Sequence, residues 1–221
     1  ATAPLSAGWA KVNITPAEAL PMAGYTPRYA FTAVEDSLFA RTLLLDNGSA
    51  TVAMVSLDLL MFPPEVHSRV QALLQERHSG VFLYAAATHT HNGPGAFDSS
   101  LAAQVSMGRF SEDFVEELAE KVLQSIDQAM QNRQPARAEW YTADASAWIV
   151  NRLDKGSPAD GLVRGLKIRR ADGSSACLGI YSAHPTNLPM RSTYLSRDYP
   201  GELVDYLEAN GLAENTIIVY T

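Results

Sequence analysis

The stretch ATVAMVSLDLLMFPPEVHSRVQALLQERHSGVFLYAAAT, residues 50–88, decides the fold. Its first third is a continuous apolar run, too uniform for a strand with one wet face, and it reads as a central strand. Pro63-Pro64 then opens a helix whose Val66, Val70, Leu73 and Leu74 share one face, and Gly80 closes it. A second apolar run, GVFLYAAAT, follows at once. Strand, helix and strand at this spacing form a β-α-β unit, whose two strands run parallel and close together. That unit places Asp58 at the carboxyl end of one strand and His89 and His91 just beyond the carboxyl end of the other. Ligands in open α/β sheets bind outside such ends.

Outward from this unit the chain alternates strands and helices. Before it, GWAKVNITP reads as a short edge strand, and LFARTLLLD as a strand entering a tight turn at Asp46-Asn47-Gly48. After it, FSEDFVEELAEKVLQSIDQAMQNRQP carries Phe114, Leu118, Val122 and Ile126 at helical spacing. ARAEWYTADAS alternates as a strand. LVRGLKIRRADGSSACLGIYSA is a hairpin about Asp172-Gly173, YPGELVDYLEANG a short helix, and NTIIVYT a final apolar strand. The expectation is one compact α/β domain over residues 1–221, with a mixed, largely parallel β-sheet core flanked by helices. TIIVYT stops without a turn, cap or polar tail, so a missing or separate carboxyl-terminal chain is expected to complete it.

Composition narrows the function classes. A formal net charge of -7 with only 17 Lys and Arg argues against an electrostatic grip on nucleic acid. No apolar run reaches the roughly 18 residues of a transmembrane segment. The one cysteine, Cys177, lies in an apolar strand and reads as a buried core thiol. A start at ATAPLSAG, without methionine, fits a processed export product or a trimmed chain, and a secreted or periplasmic location is expected.

THTHNGPG, residues 88–95, holds the chemistry-bearing pair. In an extended backbone His89 and His91 would project to the same side. An H-x-H pair is equally readable as metal ligands or as loop and core histidines. Asn92, Gly93 and Gly95 add positions where backbone could approach a ligand closely. His184, after a second apolar strand, gives the pair a partner, because zinc takes neutral imidazoles in a near-tetrahedral array with one position left for water. Asp58 reads as a further ligand or as an acceptor for an imidazole N–H. Arg152, expected after a strand around WIV, could clamp a carboxylate or stabilise an oxyanion, or form a surface ion pair. Asp198 precedes a helix and reads as an N-cap or an active-site carboxylate. His67 and His78 lie on or at the end of the first helix and read as inert, and GYTPR, with Tyr25 and Arg28, reads as scaffolding.

Taken in order, AGWAKVNITP, LFARTLLLDNG, VSLDLL, AAATHTHNGPGAF, VNR, GLVRGLKIRRADG, SAHPTNL and SRDYPGE resemble the amino-terminal catalytic domain of the neutral/alkaline non-lysosomal ceramidase family. The resemblance implies a zinc-dependent (Zn2+) hydrolysis of an amide, an N-acyl or related substrate, by metal-activated water. His89 and His184 look like zinc ligands, His91 like the neighbouring histidine that holds or protonates the reacting group, and Arg152 like the substrate- or oxyanion-contacting arginine. It also implies a glutamate and a tyrosine ligand downstream of Thr221, hence a carboxyl-terminal chain or fragment as partner. Asn92 and PTNLP depart from the family pattern, which favours a small-molecule or lipid-like amide other than ceramide. Two further readings stand beside this one: a cleavage-activated amidase with an amino-terminal nucleophile on a second chain, and a noncatalytic carbohydrate- or peptide-binding subunit.

Overall fold

The computed structural model describes residues 4–25 and 29–220. Arg28 and Thr221, both singled out above, lie outside the described residues. The β-α-β unit is present as expected. Strand β4 (Thr51–Leu57) and strand β5 (Val81–Ala87) are parallel, in register from Thr51 and Val81 to Leu57 and Ala87. Helix α1 (Pro64–Arg77) joins them, opened by Pro64 in its first turn, and buries Val66, Val70 and Leu74.

Ahead of the unit, β1 (Ser6–Asn13) and β3 (Phe39–Asp46) are antiparallel, with a two-residue strand β2 (Ala33–Val34) between them in sequence. The β3–β4 turn forms because Asp46 and Asn47 side chains accept hydrogen bonds from the amides of Gly48, Ser49 and Ala50, while Gly48 supplies a positive φ of 79°. After β5 come a short helix α2 (Leu101–Met107) that the sequence pattern did not disclose, and the long helix α3 (Glu112–Gln131). Ser111 caps α3 by accepting from the Phe114 amide. Then follow β6 (Gln134–Asp144), β7 (Leu162–Arg170), β8 (Ser175–Tyr181), β9 (Tyr194–Leu195), α4 (Tyr199–Ala209) and β10 (Asn215–Tyr220).

The main sheet has the order β10-β8-β7-β6-β1-β3-β4-β5, and β2 pairs with β9 apart from it. Two expectations need correction. The sheet is mixed, but it is mainly antiparallel: only β4–β5 and β8–β10 are parallel. The turns at Asp46-Asn47-Gly48 and Asp172-Gly173 return the chain directly, and such short connections impose antiparallel pairing. Nor is β1 an edge strand, since it lies between β3 and β6. Only Ser6 and Ala7 pair with β6. Beyond them Asn132, at the end of α3, replaces a strand: its side chain accepts from the Trp9 amide and donates to the Trp9 carbonyl.

The sheet folds over, so that its two ends face one another. Ser56 of β4 donates through Oγ to the Ile218 carbonyl of β10 at 2.6 Å, and Asn215 of β10 donates to the Thr42 carbonyl of β3 at 3.1 Å. Alternation along β3 separates two cores. Leu44 faces α1 and α3 with Val55, Leu118 and Val122, whereas Leu43 faces Ile168, Leu178, Ile217 and Val219 across the fold. The consequence for function is that the carboxyl ends of β5, β8 and β10 meet. Cys177, on β8, is buried as expected, and burial pushes its thiol pKa up. Among the described residues no helix is long and apolar enough to cross a membrane.

Candidate metal centre

His89 and His91 follow β5 and His184 follows β8, and the fold brings all three together. One nitrogen from each ring lies within 4.8 Å of the others, and among the described residues this is the cluster of His, Cys, Asp or Glu able to hold a metal ion. The His184 and His91 rings meet Nε2 to Nε2 at 2.7 Å. His89 Nδ1 stands 2.6 Å from the Leu60 carbonyl oxygen. A carbonyl can only accept, so Nδ1 carries the proton and Nε2 keeps its lone pair, the tautomer a metal requires. Burial first, and then the proximity of His89 and Arg152, lowers the His184 pKa and favours the neutral imidazole that a metal binds. The donor set therefore fits a borderline metal such as zinc.

The convergence does not come from strand alternation. Strand β5 ends at Ala87, and His89 has a φ of 64°. A residue other than glycine held at positive φ is strained, and such strain gathers at functional sites. The turn is held by two contacts from elsewhere in the chain, Leu60 on the His89 ring and the Thr90 hydroxyl donating to the Ser196 carbonyl.

The glycines of THTHNGPG serve the protein itself. A Cβ on Gly95 would sit 2.2 Å from the Met107 carbonyl oxygen, and Gly93 packs on the backbone of Asp58 and Leu59. Both are buried: the open backbone at Gly95 admits the end of α2, while Gly93 lies in ordinary van der Waals contact with the end of β4. Asn92 is likewise buried and bridges loops: its side chain donates to the Tyr194 carbonyl, and its own carbonyl accepts from the Ser196 amide. A less expected glycine touches the centre. Gly24, at φ 104°, packs so tightly that a Cβ would lie 2.7 Å from His91, and Tyr25 stands 4.8 Å from the same ring.

Asp58 is not brought to the imidazoles. Its carboxylate accepts from the Phe39 amide at 2.9 Å, and it belongs with Arg41, Arg197 and Asp36. Burial raises its pKa to about 6 against the opposing pull of Arg41. Asp198 is the N-cap of α4: it accepts from the amides of Tyr199, Asn187 and Leu188 and so ties the loop after His184 to the helix. Tyr199 donates from its hydroxyl to the Ala183 carbonyl at 2.6 Å, pinning the residue before His184.

Arg152 stands in an irregular segment after a single turn of 3-10 helix (Ser146–Trp148), and not after a strand as expected, because Asn151 folds its side chain back onto the Leu153 and Asp154 amides. It is exposed, and with His184, Tyr181 and Tyr220 it lines a cleft of about 640 Å³. Tyr220, passed over in the sequence, stacks on His89 with ring centroids 4.5 Å apart and planes 7° from parallel. The signal that could have found it is its place at the carboxyl end of a strand parallel to β8. His78 pairs with Asp127 at the end of α1, away from the centre.

Comparison with known proteins agrees with this architecture. The family described as neutral/alkaline non-lysosomal ceramidase, N-terminal, matches residues 6–216. A neutral ceramidase of Pseudomonas aeruginosa is 30% identical over 142 residues, which cover 61% of this chain and 21% of that protein. A crystal structure of neutral ceramidase from Pseudomonas aeruginosa superposes with a TM-score of 0.81 at 22% identity, over 100% of this chain and 38% of the other. A structure described as ceramidase complexed with C2 gives 0.83 at 22% identity, over 99% and 37%. The chain thus spans about a fifth of the curated relative and under two fifths of the solved structures. With most of its length matched by the family pattern, the chain belongs to the neutral/alkaline non-lysosomal ceramidase family.

Proposed function

We propose that this chain supplies the histidine side of a zinc-dependent hydrolase centre that cleaves an amide bond in an N-acyl or related substrate. The observation that carries the proposal is the meeting of His89, His91 and His184 at strand ends, with the His89 tautomer set by the Leu60 carbonyl. Zinc, when bound, lowers the pKa of a water ligand and polarises a carbonyl oxygen.

His89 and His184 are assigned the metal. Arg152, close enough for its charge to depress the His184 pKa, sits on the cleft wall where a guanidinium would hold the oxyanion of the attacked carbonyl. His91, in contact with His184 at 2.7 Å, is assigned the proton delivered to the leaving amine. Imidazoles alone make an incomplete shell. The proposal therefore includes further ligands from a carboxyl-terminal chain or fragment, in keeping with solved relatives whose chains are much longer than the matched part.

The test is hydrolysis of a panel of N-acyl amides, ceramide included, by the intact protein before and after complete chelation, with His91→Ala in parallel. Chelation should abolish turnover and zinc should restore it. His91→Ala should keep the metal while losing about 10²–10⁴-fold in rate. Turnover that survives chelation would instead support an amino-terminal nucleophile, and metal lost from His91→Ala would make His91 a third ligand. Binding without turnover or metal would support a noncatalytic subunit.

A further inference from the structure

We infer that Tyr220 is a positioning residue that sets the plane of the His89 imidazole; the inference rests on the metal-centre reading above. A ring ligand must be fixed both within its plane and in the tilt of that plane. The first restraint on His89 is the Nδ1–H bond to the Leu60 carbonyl at 2.6 Å. It acts along one edge of the ring and leaves rotation about that bond open. The second is Tyr220, whose ring lies face to face with His89 at 4.5 Å and 7°. The same tyrosine stands 5.5 Å from His184, tilted by 43°, so one side chain touches two of the three imidazoles.

Tyr220 can act in this way because its backbone is held. Strand β10 pairs with β8 through Tyr220 opposite Tyr181, and it is fixed across the fold by Ser56 on Ile218 and by Asn215 on Thr42. The His89 backbone, by contrast, lies in a strained turn at φ 64°, so the ring needs an outside restraint. Contacts that orient a metal-binding histidine typically change metal affinity about 10–100-fold when removed.

The experiment compares Tyr220→Phe and Tyr220→Leu in the intact protein. Zinc affinity is measured by chelator competition, and the His89 imidazole is followed by NMR without metal. Tyr220→Phe should bind zinc within about threefold of the parent, and Tyr220→Leu about 10–100-fold more weakly at matched thermal stability. In the metal-free protein the His89 ring protons should be shifted upfield by the facing ring in the parent and Tyr220→Phe, and should lose that shift and broaden in Tyr220→Leu. Equal zinc affinity in Tyr220→Leu, or equal weakness in Tyr220→Phe, would overturn the inference. A parent protein that binds no zinc would sink the metal-centre reading; absence of the upfield shift would sink the stacking role by itself.

Discussion

His184 and His91 meet Nε2 to Nε2 at 2.7 Å, although 92 residues separate them in the chain. Two imidazoles of the same protonation cannot both donate or both accept across such a contact. One ring must carry the proton, or both lone pairs must face a common cation. The contact exists because parallel strands in the two halves of one folded sheet end at the same place, and it makes the neighbouring backbone worth testing.

His89 combines a required side chain with an unfavoured backbone. At φ 64° a Cβ costs about 1–2 kcal/mol relative to glycine. In denaturant unfolding, His89→Gly should therefore be more stable than His89→Ala by about 1 kcal/mol, while both lose the metal. Equal stability of the two would mean that the backbone is relaxed.

Asp58 predicts a pH dependence of stability. Its folded pKa of about 6 lies above the ordinary aspartate value of 3.8, so between these values the folded state holds a proton the unfolded state has released. Stability from this group is greatest below about pH 4, falls as the pH rises to about 6, and is constant above. Asp58→Asn keeps an acceptor for the Phe39 amide and should remove that fall, at most about 3 kcal/mol. Parallel pH–stability curves for the two proteins would refute the assignment.

Asp198 holds three backbone amides with one carboxylate. Asp198→Ala should cost about 2 kcal/mol and loosen the loop that carries His184. Turnover should fall more than thermal stability alone explains, which a comparison of rate and melting temperature would show.

Gly24 links a remote loop to the centre. Gly24→Ala places a Cβ against His91 at an already unfavourable φ of 104°. Displacing His91 should lower turnover about 10–100-fold, while zinc content stays unchanged if His91 is a proton carrier. An unaltered rate would remove His91 from the reaction.

Much of this was legible in the sequence because it is local. Apolar runs and helical spacing gave the β4-α1-β5 unit, and strand ends gave His89, His91 and His184. What escaped depends on distant contacts. The turn at His89 is set by Leu60 and Ser196, so H-x-H spacing read as an extended strand could not reveal it. Strand β1 looked like an edge because Asn132, a helix-terminal side chain, does part of a strand's hydrogen bonding. Asp58 sits at a strand end like the histidines, yet its carboxylate is taken by the Phe39 amide, near the charges of Arg41 and Arg197. Tyr220 carries no signal beyond its place in β10, and its partner is 131 residues earlier.

The central claim is that His89 and His184 share a metal, and anomalous diffraction at the zinc edge from crystals of the intact protein tests it most directly. One strong peak is expected about 2.0–2.1 Å from His89 Nε2 and from a ring nitrogen of His184. A zinc-loaded crystal with no peak there, or with its metal held by other residues, would contradict it.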